Sequence, residues 1–348
     1  MTSLISLFCL QLLLIHKSWV VFIYAITISV ESILIEFLTA TFLEITPIVL
    51  SAISITLAGI MLLLVALFLT RRKEMATLLL KSWRNLSLAS FFLAAGIFTW
   101  YDSISRIGAS KEVLIAGPLE IVIIVVLARF FLNEKLNRIQ VTGIVLALIG
   151  FLISIVSDIG IDVLDSIQTV TTSPFPSALI TFGDIEAILS AFGFGIGVLF
   201  LTKLVSLHSS IEVAGASMLI SGLILAGFMV GFSYESLQIS LMIKHTLFKH
   251  PQINTIIILA LFSLLPFIGS LSYSTGLSRI GASITATIGS SSILITLIIQ
   301  IMLRELGAKI NLPENIFIAI VGGVIGFLGI YTIHMHDRPM SVSQPRKK

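Results

Sequence analysis

Long uninterrupted apolar runs, not short alternations, set the pattern of this chain. Ten of them stand out, at about residues 19–41, 46–70, 86–105, 113–132, 139–157, 181–202, 212–232, 254–277, 282–303 and 314–334. Each is long enough for a helix to cross about 30 Å of hydrocarbon. In lipid the backbone must satisfy its own hydrogen bonds, so only helices or closed barrels span. Continuous runs, instead of ten-residue alternation, choose helices. The pattern therefore predicts an all-α, polytopic membrane bundle of ten transmembrane helices.

The hexapeptide Ser-Arg-Ile-Gly-Ala-Ser occurs twice, at Ser105–Ser110 and Ser278–Ser283, an offset of 173. An internal repeat fixes architecture before local reasoning begins. Five apolar stretches separate the copies, and an odd number of crossings puts them on opposite faces of a bilayer. The chain thus reads as two inverted five-helix repeats, 19–157 and 181–335, joined by an external linker at 158–180. Residues 1–18 read as an interfacial segment or a start extension, because the apolar stretch 3–15 is too short to span. Residues 336–348 read as a basic tail.

Composition supports this picture and locates the ends. Hydrophobic residues are 57% of the chain and charged residues 11%, against about 25% charged in soluble domains. With both termini in the cytoplasm, 15 of the 21 Lys and Arg fall on the cytoplasmic side, as the positive-inside tendency requires. The expected location is the cytoplasmic membrane. Basic clusters interleaved with aromatics are absent, which disfavours nucleic acid. The single cysteine, Cys9, excludes an intrachain disulfide. Asp158, Asp162 and Asp165 lack calcium-loop spacing. The histidines are split between the two faces, and there is no Gly-rich phosphate loop. No cofactor, metal or enzymatic activity is expected. Residues 236–249 read as a surface-lying segment or an ordinary loop.

The halves match beyond the hexapeptide. Gly96 corresponds to Gly269, and Gly117-Pro118-Leu119-Glu120-Ile121 to Gly289-Ser290-Ser291-Ser292-Ile293. Leu132-Asn133-Glu134 corresponds to Leu303-Arg304-Glu305, and Gly150-Phe151-Leu152 to Gly326-Phe327-Leu328. This order of elements, twice over, resembles the EamA-type ten-helix members of the drug/metabolite transporter superfamily. The chain departs from that pattern in lacking an Arg early in the second span and a Pro at Ser290. The resemblance implies movement of a small metabolite or drug across the membrane.

Glu120 is the sharpest candidate for chemistry. A carboxylate in hydrocarbon costs about 2.5–3.5 kcal/mol on insertion scales, so it usually faces a cavity or a partner. Its repeat mate is Ser292. Pro118 removes a backbone donor and suits a local opening; the alternative is an acid paired with a buried hydroxyl for packing alone. Glu31 lies mid-span, and four-helix relatives in the superfamily carry a coupling glutamate in their first span. Glu36 lies nearer the interface. Trp100 and Tyr273 are equivalent by the repeat and either flank a ligand or anchor at the interface. Asp102 and Arg106 can pair at i, i+4. Glu134 and Glu305 read as loop-fixing residues. Gly193/Gly197, Gly227/Gly231 and Gly322/Gly326 read as close helix contacts, within the bundle or in a homodimer. Pro266 predicts a kink.

These readings converge on a transporter for a small-molecule substrate, driven by a proton or substrate gradient. Its site would lie between spans 1, 3, 4, 6, 8 and 9, at the small-residue kinks Gly117–Glu120 and Gly289–Ser292. Two rivals are a membrane-embedded enzyme acting on a lipid and a non-transporting scaffold or sensor. The first would cluster acids or histidines at one depth; the second has no use for two-sided symmetry.

Overall fold

A computed structural model describes residues 2–41, 45–69, 78–132, 138–157, 181–235, 253–308 and 310–335. The linker 158–180, the segment 236–249, residues Glu134 and Lys135 and the tail 336–348 lie outside the described residues. Among the described residues the secondary structure is helical, with no strand. The helices are α1 (Thr2–Thr41), α2 (Pro47–Leu69), α3 (Trp83–Ile107), α4 (Ala109–Leu132), α5 (Arg138–Val156) and α6 (Phe182–Val205). They continue as α7 (Ser210–Glu235), α8 (Ile253–Phe262), α9 (Leu264–Ile280), α10 (Ala282–Gly289), α11 (Ser292–Glu305) and α12 (Ile316–Met335).

Seven helical stretches are long and apolar enough to cross a membrane by length and composition. Their large apolar side chains divide between core and periphery. Leu62, Leu86 and Ile104 are buried, whereas Phe68, Leu189 and Phe317 point outward. A face this apolar is compatible with lipid, not water.

Residues 3–15 continue into α1, which runs unbroken through His16 and Lys17. Span 8 is interrupted at Ser263, three residues before Pro266, where the proline's missing N–H and ring disturb the preceding turn. Span 9 is interrupted at Ser290–Ser291, and there hydroxyls bond back to the carbonyls of Thr287 and Ile288. By contrast, α4 continues through Pro118, which therefore opens no gap in the helix.

The packing has a two-fold pattern. α1 lies along α9 and α3 along α6, while α2 lies along α7 and α5 along α12. Each pair runs antiparallel. Gly96 meets Gly193 while Ile107, further along α3, meets Gly183. Gly150 meets Gly326, and Ser154 meets Gly322. The glycines matter at these crossings because a Cβ at Gly150 would collide with the backbone of Gly326. Gly227 and Gly231 differ: among the described residues nothing lies within 4 Å of either Cβ position, so they make no close helix contact there.

The hexapeptide turns share one backbone conformation, Gly108 with φ 84° and Gly281 with φ 83°. Glycine is needed there because side chains rarely adopt such a φ. The turns lie at opposite ends of the bundle. The Ala109 N–H reaches Glu36 of α1, whereas Gly276, five residues before Gly281, rests on Val21. Positions 21 and 36 of α1 are about 22 Å apart at 1.5 Å rise per residue.

Candidate functional site

A cavity of about 1020 Å³, counting its open mouth, occupies the middle of the bundle. Helical periodicity selects its walls. Each lining helix presents one stripe at i, i+3, i+4, i+7 spacing. α1 contributes Tyr24, Ile28, Glu31 and Ser32. α4 contributes Glu112, Val113, Ala116, Gly117 and Glu120. α9 contributes Pro266, Gly269, Ser270, Tyr273 and Ser274, while Leu93, Ile97 and Trp100 come from α3. Phe194, Val198 and Leu201 of α6 complete the frame, with Ile55 of α2, Ser217 and Met218 of α7 and Ser292 of α11.

Of the sequence candidates, Glu31, Trp100, Gly117, Glu120, Tyr273 and Ser292 line this cavity together. Pro118 and Gly289 do not. Pro118 sits one residue off the α4 stripe, about 100° around the helix, and packs against Gly326 of α12. Gly289 lies behind Tyr24, whose ring edge would be 3.0 Å from a Cβ there. Sequence reasoning passed over Glu112, Tyr24 and Tyr101. Glu112 had been placed just outside span 4, yet it is buried in the first turn of α4. Its spacing with Ala116 and Glu120, i, i+4 and i+8, was the available signal.

The three carboxylates differ in their partners. The Tyr101 hydroxyl donates to Glu31 at 2.8 Å. The Trp100 indole N–H donates to Glu112 at 3.1 Å, and Ser190 Oγ donates to its other oxygen at 3.2 Å. Glu120 has no hydrogen bond or ion pair among the described residues and meets the cavity directly. No Lys, Arg or His lines the cavity among the described residues.

Two aromatic pairs close the frame. Tyr24 and Tyr273 lie 4.7 Å apart by ring centroids, and Trp100 and Phe194 lie 5.9 Å apart. The repeat relates one ring of each pair, since Trp100 maps to Tyr273 at offset 173. The acids break the repeat. At offset 173 Glu112 maps to Thr285, and at 172 Glu120 maps to Ser292. All three cavity carboxylates thus belong to the first half.

The Gly108 end of the bundle is tied across the halves. Lys111 pairs with Asp184 at 2.9 Å, both side chains nearly inaccessible. Asp184 also completes a capping box with Thr181 that starts α6. Arg106 pairs with Asp102 at 2.9 Å and with Glu186 at 3.1 Å. Glu36, nearer the end of its span than Glu31, is buried and holds a knot of hydrogen bonds there. It accepts from Ala109 N–H at 2.9 Å, from Asn311 N–H at 2.6 Å and from the Gln300 amide at 2.5 Å. Of the loop-fixing residues, Glu305 ends α11 beside Arg304, both exposed. Among the described residues no cluster of His, Cys, Asp or Glu is arranged to hold a metal ion.

Membrane-capable helices in two packed halves, around a central, mostly apolar cavity that three carboxylates line, define an integral membrane protein. The profile of the EamA-like transporter family matches residues 6–156 and again 181–335, so the chain belongs to that family. A solved structure, described only as the crystal structure of a protein, superposes with a TM-score of 0.54 at 17% identity. It covers 90% of this chain and 99% of its own, a likeness that speaks for the fold alone. No functionally curated protein matches the chain.

Proposed function

We propose that this protein is a secondary transporter that moves a small organic molecule across the cytoplasmic membrane by alternating access. The carrying observation is the central cavity, walled by stripes from both halves and lying between two pseudo-equivalent ends. Rocking one half against the other would expose such a site to each side in turn. Ten crossings fit this reading. The seven apolar stretches are joined by α3, α4 and α12, and each interrupted pair, α8–α9 and α10–α11, counts once. The antiparallel pairing of α1 with α9 and of α3 with α6 is what two inverted halves require. Lys81, Arg84, Lys203 and Arg279 gather at the end that holds the start of α3, which supports a cytoplasmic placement of that end. Substrate or proton gradients would supply the energy.

Reconstitution in liposomes tests the reading. Saturable, protein-dependent flux is expected for at least one of a panel of amino acids, nucleosides, sugars and organic cations. Its absence across the panel, with correctly inserted protein, would overturn it.

A further inference from the structure

We infer that the cavity is built for an organic cation, held with its charge at Glu120 against the wall that the Tyr24 and Tyr273 pair forms. This inference rests on the transport reading for its setting, and it names the substrate class.

The first argument is electrostatic. Three carboxylates share one apolar cavity, and among the described residues no base shares it with them. Glu112 and Glu120 lie two helical turns apart on one face of α4, and both line the cavity with Glu31 and Tyr24. A cation entering this lining finds carboxylates to pair with, and the lining offers an anion no opposite charge. An anion would meet only repulsion.

The second argument is the inventory of unused groups. Glu31 is held by Tyr101, and Glu112 by Trp100 and Ser190. Glu120 has no such partner and is left to pair with a ligand. Beside it, the Tyr273 hydroxyl is buried without a hydrogen-bond partner. A buried unpaired hydroxyl costs about 1–3 kcal/mol, so a ligand group that meets it gains by binding there.

The third argument is shape. Tyr24 and Tyr273 are tilted by 48° with centroids 4.7 Å apart, which presents ring surface beside the Glu120 carboxylate. Ring faces attract cations within about 6 Å of the centroid. The serines around them, Ser270, Ser274 and Ser292, are too small to fill the space. Together these features fit an ammonium carrying apolar groups better than a hydrated metal ion, which prefers a shell of oxygens.

A charge series on the purified protein tests this. Benzyltrimethylammonium is the probe, 2-methyl-1-phenyl-2-propanol its uncharged counterpart of similar shape, and phenylmethanesulfonate its anion. The cation is expected to bind at least tenfold tighter than the alcohol, with no binding of the anion. Glu120→Gln should weaken the cation at least tenfold and leave the alcohol unchanged. Tyr24→Leu should weaken the cation several-fold. Alcohol binding within twofold of the cation, or wild-type cation affinity in Glu120→Gln, would overturn the inference. The wild-type series decides the matter even where a variant fails to fold. Liposome flux separates the two readings. Flux of a neutral or anionic compound without cation binding sinks the cation site and leaves the transporter. Cation binding with no flux of any compound does the reverse.

Discussion

Glu36 and Gln300 stand 264 positions apart in the chain, yet the Gln300 amide donates to the Glu36 carboxylate at 2.5 Å. The same glutamine accepts the Ser110 N–H at 2.9 Å through its own oxygen. One acid in the first half and one amide in the second thus hold the turn that follows Gly108, together with the chain at Asn311. Removing the acid would leave two buried donors, the Ala109 N–H and the Gln300 amide, without an acceptor, at about 1–3 kcal/mol each, and would free the part-buried Asn311 N–H. Glu36→Ala should therefore sharply lower the thermal unfolding midpoint in detergent. Glu36→Gln should fall between, because one amide oxygen can replace only part of what two carboxylate oxygens accept. A midpoint within a degree of wild type in Glu36→Ala would remove this knot from the account.

The Lys111–Asp184 pair leads to a different pattern. Breaking a buried pair on one side strands a charge and costs about 3–5 kcal/mol, whereas replacing both partners with apolar residues is often neutral. Asp184→Asn should be strongly destabilising, and Lys111→Met combined with Asp184→Leu should recover much of the loss. Part of the deficit will persist in the double variant because Asp184 also caps α6. Arg106→Gln touches a half-exposed guanidinium and should cost under about 1 kcal/mol. Chemical unfolding followed by tryptophan fluorescence measures all of these.

Much of this arrangement was legible in the sequence, for an identifiable reason. Helical register carries information: Glu31, Trp100, Gly117, Glu120, Tyr273 and Ser292 meet because each lies on the stripe its helix turns inward. What failed were assignments resting on a residue type instead of its angle. Pro118 neighbours Gly117 in sequence but points to Gly326, and prolines need not open a helix that neighbours support. Glu112 was lost to a span boundary set by hydropathy, because one charged turn at a helix start looks like loop. The role of Glu36 was hidden as well, since the donors it accepts from come from Gln300 and Asn311, which no local pattern brings near. Pro266 announces the break at Ser263, whereas the one at Ser290 goes with hydroxyls returning to backbone carbonyls, a choice that composition leaves open.

Topology can be checked without any substrate. Gly108 and Gly281 lie at opposite ends of the bundle, so cysteines at Arg106 and Arg279 should label from opposite sides. In a Cys9→Ser background, an impermeant thiol reagent should modify position 106 from outside and position 279 only after permeabilisation. Equal labelling of both from one side would exclude the inverted arrangement.

Glycine substitutions separate close packing from mere presence. A Cβ at Gly150 would collide with the Gly326 backbone, whereas Gly227 has open space around it. Gly150→Ala should push α5 and α12 apart and lower stability by about 1–3 kcal/mol, the usual range for overpacking. Gly227→Ala should be neutral or slightly stabilising, because alanine favours the helix by about 1 kcal/mol over glycine. Thermal midpoints of the two variants side by side are sufficient.

The cavity itself makes the sharpest demand. Ser292 begins α11 at the break in the helix, and Ser29 Oγ donates to its carbonyl at 3.2 Å, so its backbone position is fixed against α1. Its side chain is among those lining the cavity, near the Tyr24 and Tyr273 pair. Leucine there adds two heavy atoms, and a branched apolar end, to a space that serine leaves open. A site that binds its ligand in that space must lose affinity, and Ser292→Leu should raise the apparent KM or stop flux. Ser206→Leu makes the same change at an exposed turn and should leave flux unaltered. Glu120→Gln preserves size and hydrogen-bonding capacity but carries no charge. If Glu120 holds the substrate or exchanges protons with it, that variant should lose flux while eluting from size exclusion as wild type does. Unchanged flux in both Ser292→Leu and Glu120→Gln would move the transport path away from this cavity, whatever the family of the protein.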